Sequence, residues 1–166
     1  NLYDTAHSGK YAIQLGAAVV SSNLGTNGLS LVSGKRYLIQ AWHRVGSGGQ
    51  IETNNGSETL QSKVISADIE GWELIELTFT AGATNTLNLK GVNAVFDDFR
   101  ILPVHASLKC FVYDPVSHKV SVALDENHFG TIYNYDRDQV LIQVKKETER
   151  GIKTIQSTQR VTSRIP

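Results

Sequence analysis

At 166 residues the chain has room for one β-sandwich of roughly 100 residues and a small annex. Lys and Arg together number 16, as do Asp and Glu, so no basic surplus points to nucleic acid or to an anionic membrane surface. No run approaches the roughly 18 apolar residues that a membrane span requires. Methionine is absent, position 1 included, and no signal peptide opens the sequence, so it reads as an excised fragment with its targeting information upstream.

Period-2 alternation recurs along the chain, and no window carries a helical stripe. Strands are predicted over 10–15, 29–32, 36–45, 50–53, 59–65, 72–80, 86–90 and 95–102. They are punctuated by Ser8-Gly9, Ser33-Gly34, Gly46-Ser47-Gly48-Gly49, Asn54-Asn55-Gly56, Ala81-Gly82 and Gly91, residues suited to turns of positive φ. Short strands at this spacing predict an all-β domain over 1–103, an antiparallel jelly-roll sandwich. Pro103-Val104-His105-Ala106 then reads as a linker, and the idiom changes.

Beyond it, strands are predicted over 107–113, 119–124, 131–135, 139–145 and near 152–158. Tyr113-Asp114 and Tyr135-Asp136, about 22 residues apart, each close an alternating strand and predict a repeated unit, a C-terminal β-hairpin annex over 104–166. The single cysteine, Cys110, forms no internal disulfide. Its place between Leu108 and Val112 predicts a small buried apolar residue, and no histidine pattern designates it as a catalytic thiol.

Two constellations stand out. In the strand at 36–45, Tyr37, Ile39 and Ala41 alternate with Gln40, Trp42 and Arg44. If the first set packs inward, the second lies on an open, concave face to which Glu76 is added, and an aromatic plate beside planar hydrogen-bonding groups suits a sugar ring. In the last strand of the sandwich, Val95, Asp97, Phe99 and Ile101 share a face by alternation. An inward carboxylate is costly unless paired, hydrogen-bonded or metal-bound. Enzyme readings find little: Glu73 and Glu76 fall on opposite faces of one strand, unlike a glycosidase pair, and His105, His118 and His128 lack zinc spacing. Gly46-Ser47-Gly48-Gly49 is followed by no lysine or helix to cradle phosphate. The chain is therefore expected not to be an enzyme.

The pieces His7-Ser8-Gly9-Lys10-Tyr11-Ala12-Ile13, Gly34-Lys35-Arg36-Tyr37-Leu38-Ile39-Gln40-Ala41-Trp42, Gly71-Trp72-Glu73-Leu74-Ile75-Glu76-Leu77-Thr78-Phe79 and Phe96-Asp97-Asp98-Phe99-Arg100, in that order, resemble the jelly-roll carbohydrate-binding modules of the galactose-binding-like group. The resemblance implies a structural role for Trp72. It also implies a structural calcium ion held by Asp97 with main-chain oxygens of Ser8 and Lys10; the alternative is that Asp97 accepts backbone N–H bonds at a strand end. Modules of this group usually begin with a strand before the His-Ser-Gly element, and that strand is expected to be missing here. Tyr113-Asp114, His118-Lys119-Val120, Asp125-Glu126-Asn127 and Tyr133-Asn134-Tyr135-Asp136 resemble the YD (Rhs-type) repeats of large bacterial surface and secreted proteins, although Asp138-Gln139 replaces the usual glycine-containing turn.

Together these resemblances imply an extracellular or cell-surface setting in bacteria, with carbohydrate and neighbouring domains of the same parent chain as partners. Two roles follow. In one, the first domain is a non-catalytic module that binds glycans on its concave face; in the other, it is a spacer or cap for a YD array and takes no ligand.

Overall fold

The computed structural model describes residues 2–3, 5–24 and 30–158. They are all β, and every strand pairing is antiparallel. No helix among them is long and apolar enough to cross a membrane. Two compact units divide between Leu108 and Lys109, a few residues beyond the Pro103 boundary drawn from the sequence.

The first unit contains two sheets. One is six-stranded, ordered β1 (Leu2–Tyr3), β2 (Ala12–Gln14), β10 (Val95–Pro103), β4 (Arg36–Arg44), β8 (Trp72–Thr80), β7 (Lys63–Val64). The other is four-stranded, ordered β3 (Val19–Leu24), β9 (Asn85–Lys90), β5 (Gln50–Asn54), β6 (Thr59–Gln61). Alternation explains the core between them. Tyr37, Ile39 and Ala41 of β4 and Ile75, Leu77 and Phe79 of β8 meet Ile51 and Leu87 of the second sheet in one buried cluster with Leu15, Ala94 and Phe96. Burying such side chains removes apolar surface from water at about 25 cal/mol per Å², and this layer is what holds the sheets face to face. Two glycines let loops close on the core. A Cβ on Gly82 would lie 2.0 Å from the Asn55 carbonyl oxygen, and one on Gly91, at φ +127°, would lie 2.6 Å from the Ala94 Cβ.

Several expectations are corrected. The strand predicted at 29–32 is not formed over 30–32, where the Val32 N–H donates to the Tyr37 hydroxyl at 2.9 Å; Leu29 lies outside the described residues. The run 59–65 is not one strand. It splits at Ser62, which exchanges bonds with Ile51 in the second sheet, and β7 then crosses to the first sheet. A short β1 does precede the His-Ser-Gly element and pairs with β2. Pro103 is not linker but the last residue of β10, opposite Tyr37.

In β10, alternation fails at one residue. The register slips between Asp97, opposite Trp42, and Arg100, opposite Gln40, because Asp98 takes a left-handed φ of 48° and makes a β-bulge. Ile101 then faces the core opposite Ile39, while Asp97 lies with Trp42 on the outer face and Phe99 is 39 % exposed. The shared face inferred for Asp97, Phe99 and Ile101 does not exist.

The second unit is a five-stranded meander, β11 (Cys110–Tyr113), β12 (Val120–Leu124), β13 (Gly130–Tyr135), β14 (Leu141–Thr148) and β15 (Gly151–Ser157), each paired with the next. Three of its four hairpins are closed alike, and the fourth, between β14 and β15, is closed by the Thr148 hydroxyl donating to the Gly151 carbonyl at 2.8 Å. Asp114, Asp125 and Asp136 each donate their own N–H across the turn, to Lys119, Phe129 and Val140 respectively. Each also turns Oδ1 back onto turn amides: Val116 and Ser117, then Asn127 and Phe129, then Val140. Left-handed His118, His128 and Gln139 complete the three turns, as expected of Asx-type chemistry. Both Tyr-Asp pairs thus stand at turns closed by their aspartate, as does Leu124-Asp125. Cys110 lies on an edge strand and is half-buried rather than buried.

Candidate functional site

Register places the predicted set on the outer face of the first sheet. Gln40 is opposite Glu76, Trp42 opposite Leu74 and Arg44 opposite Trp72. The face is closed at Trp42, however, which has no exposed surface. The imidazole of His7 stacks on it with centroids 3.9 Å apart and planes 12° apart, and meets Trp72 edge-on at 6.0 Å. Arg44 lies over the Trp72 ring at 5.6 Å, and Trp72 is buried in a structural role. Trp42 is therefore not a sugar-binding plate: a segment remote in sequence covers the ring. Gln40 is also buried and committed. Its Oε1 accepts from Nε of Arg100 at 2.8 Å and from Nη2, and its Nε2 donates to Glu76 Oε2 at 2.7 Å.

Asp97 and Asp98 hold the covering segment. His7 Nδ1 donates to Asp98 Oδ2 at 2.8 Å, and the Ser8 hydroxyl donates to Oδ1 at 2.5 Å. Asp97 Oδ2 accepts the N–H groups of His7 and Ser8 at 2.8 and 3.1 Å, and Oδ1 accepts that of Asp98 at 2.8 Å. Burial, and then the neighbouring Asp98 charge, raises the Asp97 carboxyl above its ordinary range, against the lowering effect of these amides.

This geometry does not suit calcium. Calcium takes six to eight oxygens, whereas both Asp97 oxygens accept amide hydrogens, Oδ2 those of His7 and Ser8 and Oδ1 that of Asp98. The Lys10 ammonium lies over the Tyr11 ring at 4.9 Å. No group of three or more His, Cys, Asp or Glu residues able to hold a metal occurs among the described residues. The melting curve is expected to be the same in EDTA and in millimolar calcium. Asp97→Asn should cost about 1–3 kcal/mol through weakened amide bonds, whatever the calcium concentration. A chelator-induced drop in Tm of several degrees in wild type, absent in Asp97→Asn, would contradict this.

The residues missed by sequence reasoning lie on the second sheet. Ile51, Thr53 and Leu87 turn inward and are buried, so Gln50, Glu52 and Asn54 of β5 and Thr86, Asn88 and Lys90 of β9 turn outward. Register aligns Ser21, Asn88, Glu52 and Gln61 in one row across all four strands. Glu52 is the hub. Its Oε2 accepts from Lys90 Nζ at 2.6 Å and from Gln61 Nε2 at 3.1 Å, and its Oε1 accepts from Asn88 Nδ2 at 3.1 Å. Lys90 first, and then the Gln61 and Asn88 amides, hold the Glu52 carboxyl at about 2. Beside the hub, Gln50 Nε2 donates to Gln61 Oε1 at 3.4 Å and Asn54 Nδ2 to Thr59 Oγ1 at 2.8 Å. The arrangement is an array of half-buried to exposed amides and hydroxyls around one buried, neutralised carboxylate. Its signal in the sequence is that Gln50, Asn54, Gln61 and Asn88 take half of the outward positions of β5, β6 and β9.

No protein-family model matches this chain, and no curated protein matches it.

Proposed function

We propose that the chain is a non-catalytic binding module that takes a neutral glycan on the outer face of its four-stranded sheet. The observation that carries this reading is the row Ser21–Asn88–Glu52–Gln61, in which side chains of fixed geometry offer donors and acceptors at strand spacing. Vicinal hydroxyls of a sugar chain both donate and accept, and a hydrogen-bonded amide array addresses them without a net charge to desolvate. The ion pair of Glu52 with Lys90 keeps the array neutral, which favours an uncharged polysaccharide over an acidic one. The non-catalytic part is supported by Glu73 and Glu76, which stand opposite His43 and Gln40 on the two faces of β8 and form no pair. In this reading the second unit, with its repeated aspartate-closed turns, begins a YD-type array of a cell-surface or secreted protein, and the first unit tethers that array to carbohydrate.

Among the described residues the face carries no aromatic plate, so affinity rests on hydrogen bonds and should be weak, with Kd on the order of 0.1–1 mM. Affinity electrophoresis through gels cast with soluble neutral polysaccharides tests it. Retardation of the wild type is expected, and a Glu52→Ala/Asn88→Ala double variant, shown by circular dichroism to be folded at the temperature of the gel, should migrate freely. A folded wild type that no neutral polysaccharide retards would instead assign the first unit to the ligand-free spacer role.

A further inference from the structure

A strand at the end of a sheet presents a row of main-chain donors and acceptors, and proteins blunt such edges by brevity, charge, proline or bulges. Five of the edges among the described residues are blunted in these ways. β1 and β7 have two residues each and β6 has three. The four-residue β11 breaks register between Val112 and Tyr113. β15 is long but carries Lys153 and breaks register against Val144 and Lys145. β3 has none of these devices. Its six residues, Val-Val-Ser-Ser-Asn-Leu, contain no charge and no proline, and they pair with β9 in unbroken register from Val19 opposite Lys90 to Leu24 opposite Asn85. Val19 and Val20 are 46 % and 45 % exposed.

We propose that β3 is a self-association edge, through which two copies of this chain pair antiparallel and join their four-stranded sheets into one. A second copy fits because the strand is complementary to itself. A two-fold axis along the sheet normal, midway between the Ser22 residues of the two copies, preserves both faces, as side-chain alternation requires. It sets Val20 opposite Leu24 on the inner side, apolar against apolar, and Ser21 opposite Asn23 on the outer side, polar against polar. Charge agrees: an uncharged edge rewards an uncharged partner, and the nearest cation on the adjoining strand, Lys90, is already satisfied by Glu52 at 2.6 Å. The association does not depend on what the outer face binds.

A single pair of short edges buries less than the roughly 1,200 Å² of standard interfaces, so the dimer should be weak, with Kd in the micromolar-to-millimolar range. Sedimentation velocity of the whole chain from about 10 µM to about 1 mM should show the mass rising from 18.2 kDa toward twice that value. Ser21→Lys, at an exposed outward position, brings like charges close across the axis and should weaken association tenfold or more with unchanged Tm. Ile155→Lys on β15 should associate as wild type does. A wild-type mass constant over the whole range overturns the proposal, and so does a Ser21→Lys variant that dimerises undiminished.

Discussion

Trp42→Ala should destabilise the first unit by about 3–5 kcal/mol, the range for truncating a fully buried tryptophan. For a unit of this size the loss corresponds to a fall in Tm of more than about 10 °C. The residue has no exposed surface and supports the His7 ring at 3.9 Å, so the truncation leaves a cavity and releases the clasp that the Asp97–Asp98 pair holds down. His7→Ala should cost less and should uncover Trp42, read as a red shift in its emission and increased acrylamide quenching in a Trp72→Phe background. A Trp42→Ala protein with wild-type Tm and lost glycan retention would reverse the conclusion and restore Trp42 as a binding plate.

The physical reason this ring misled the sequence reading is general. Alternation along β4 correctly put Gln40, Trp42 and Arg44 on one face and Tyr37, Ile39 and Ala41 on the other. Whether a face is open depends on what a distant segment does, and the loop carrying His7 and Ser8 leaves no trace in the pattern of β4. Long regular strands were legible for the same local reason: 72–80 is the observed span of β8. β3 was not legible, because an edge strand that is largely exposed needs no apolar alternation, and Val-Val-Ser-Ser-Asn-Leu shows none. The bulge at Asp98 was equally hidden. One left-handed residue reversed the parity of half a strand, and an aspartate gives no more than a weak hint of it. The turn chemistry of the second unit was read correctly because it is local, an aspartate addressing amides two to four residues ahead. The Glu52 array fell between these cases. Its parity was readable, but the pairing that puts Asn88 and Gln61 on either side of Glu52 joins strands distant in sequence.

Gln40→Leu should be the most costly polar substitution, at about 2–4 kcal/mol. Gln40 is a relay in a buried row: Arg100, itself 6 % exposed, donates twice to its Oε1, and its Nε2 passes the polarity on to Glu76. Leucine preserves the volume but leaves the guanidinium without that acceptor in a poorly solvated place, where losing a bond to a charged group costs more than the bond contributes net. The double variant Gln40→Leu/Arg100→Leu removes both halves of the mismatch. Replacing a buried polar pair by well-packed apolar residues is often nearly neutral, so the double variant should recover most of the loss. Urea midpoints for the two single variants and the double close the cycle, with an expected coupling of at least about 1 kcal/mol between residues in direct contact. Strictly additive costs would mean that Gln40 and Arg100 contribute independently and that the row is three neighbours rather than one network.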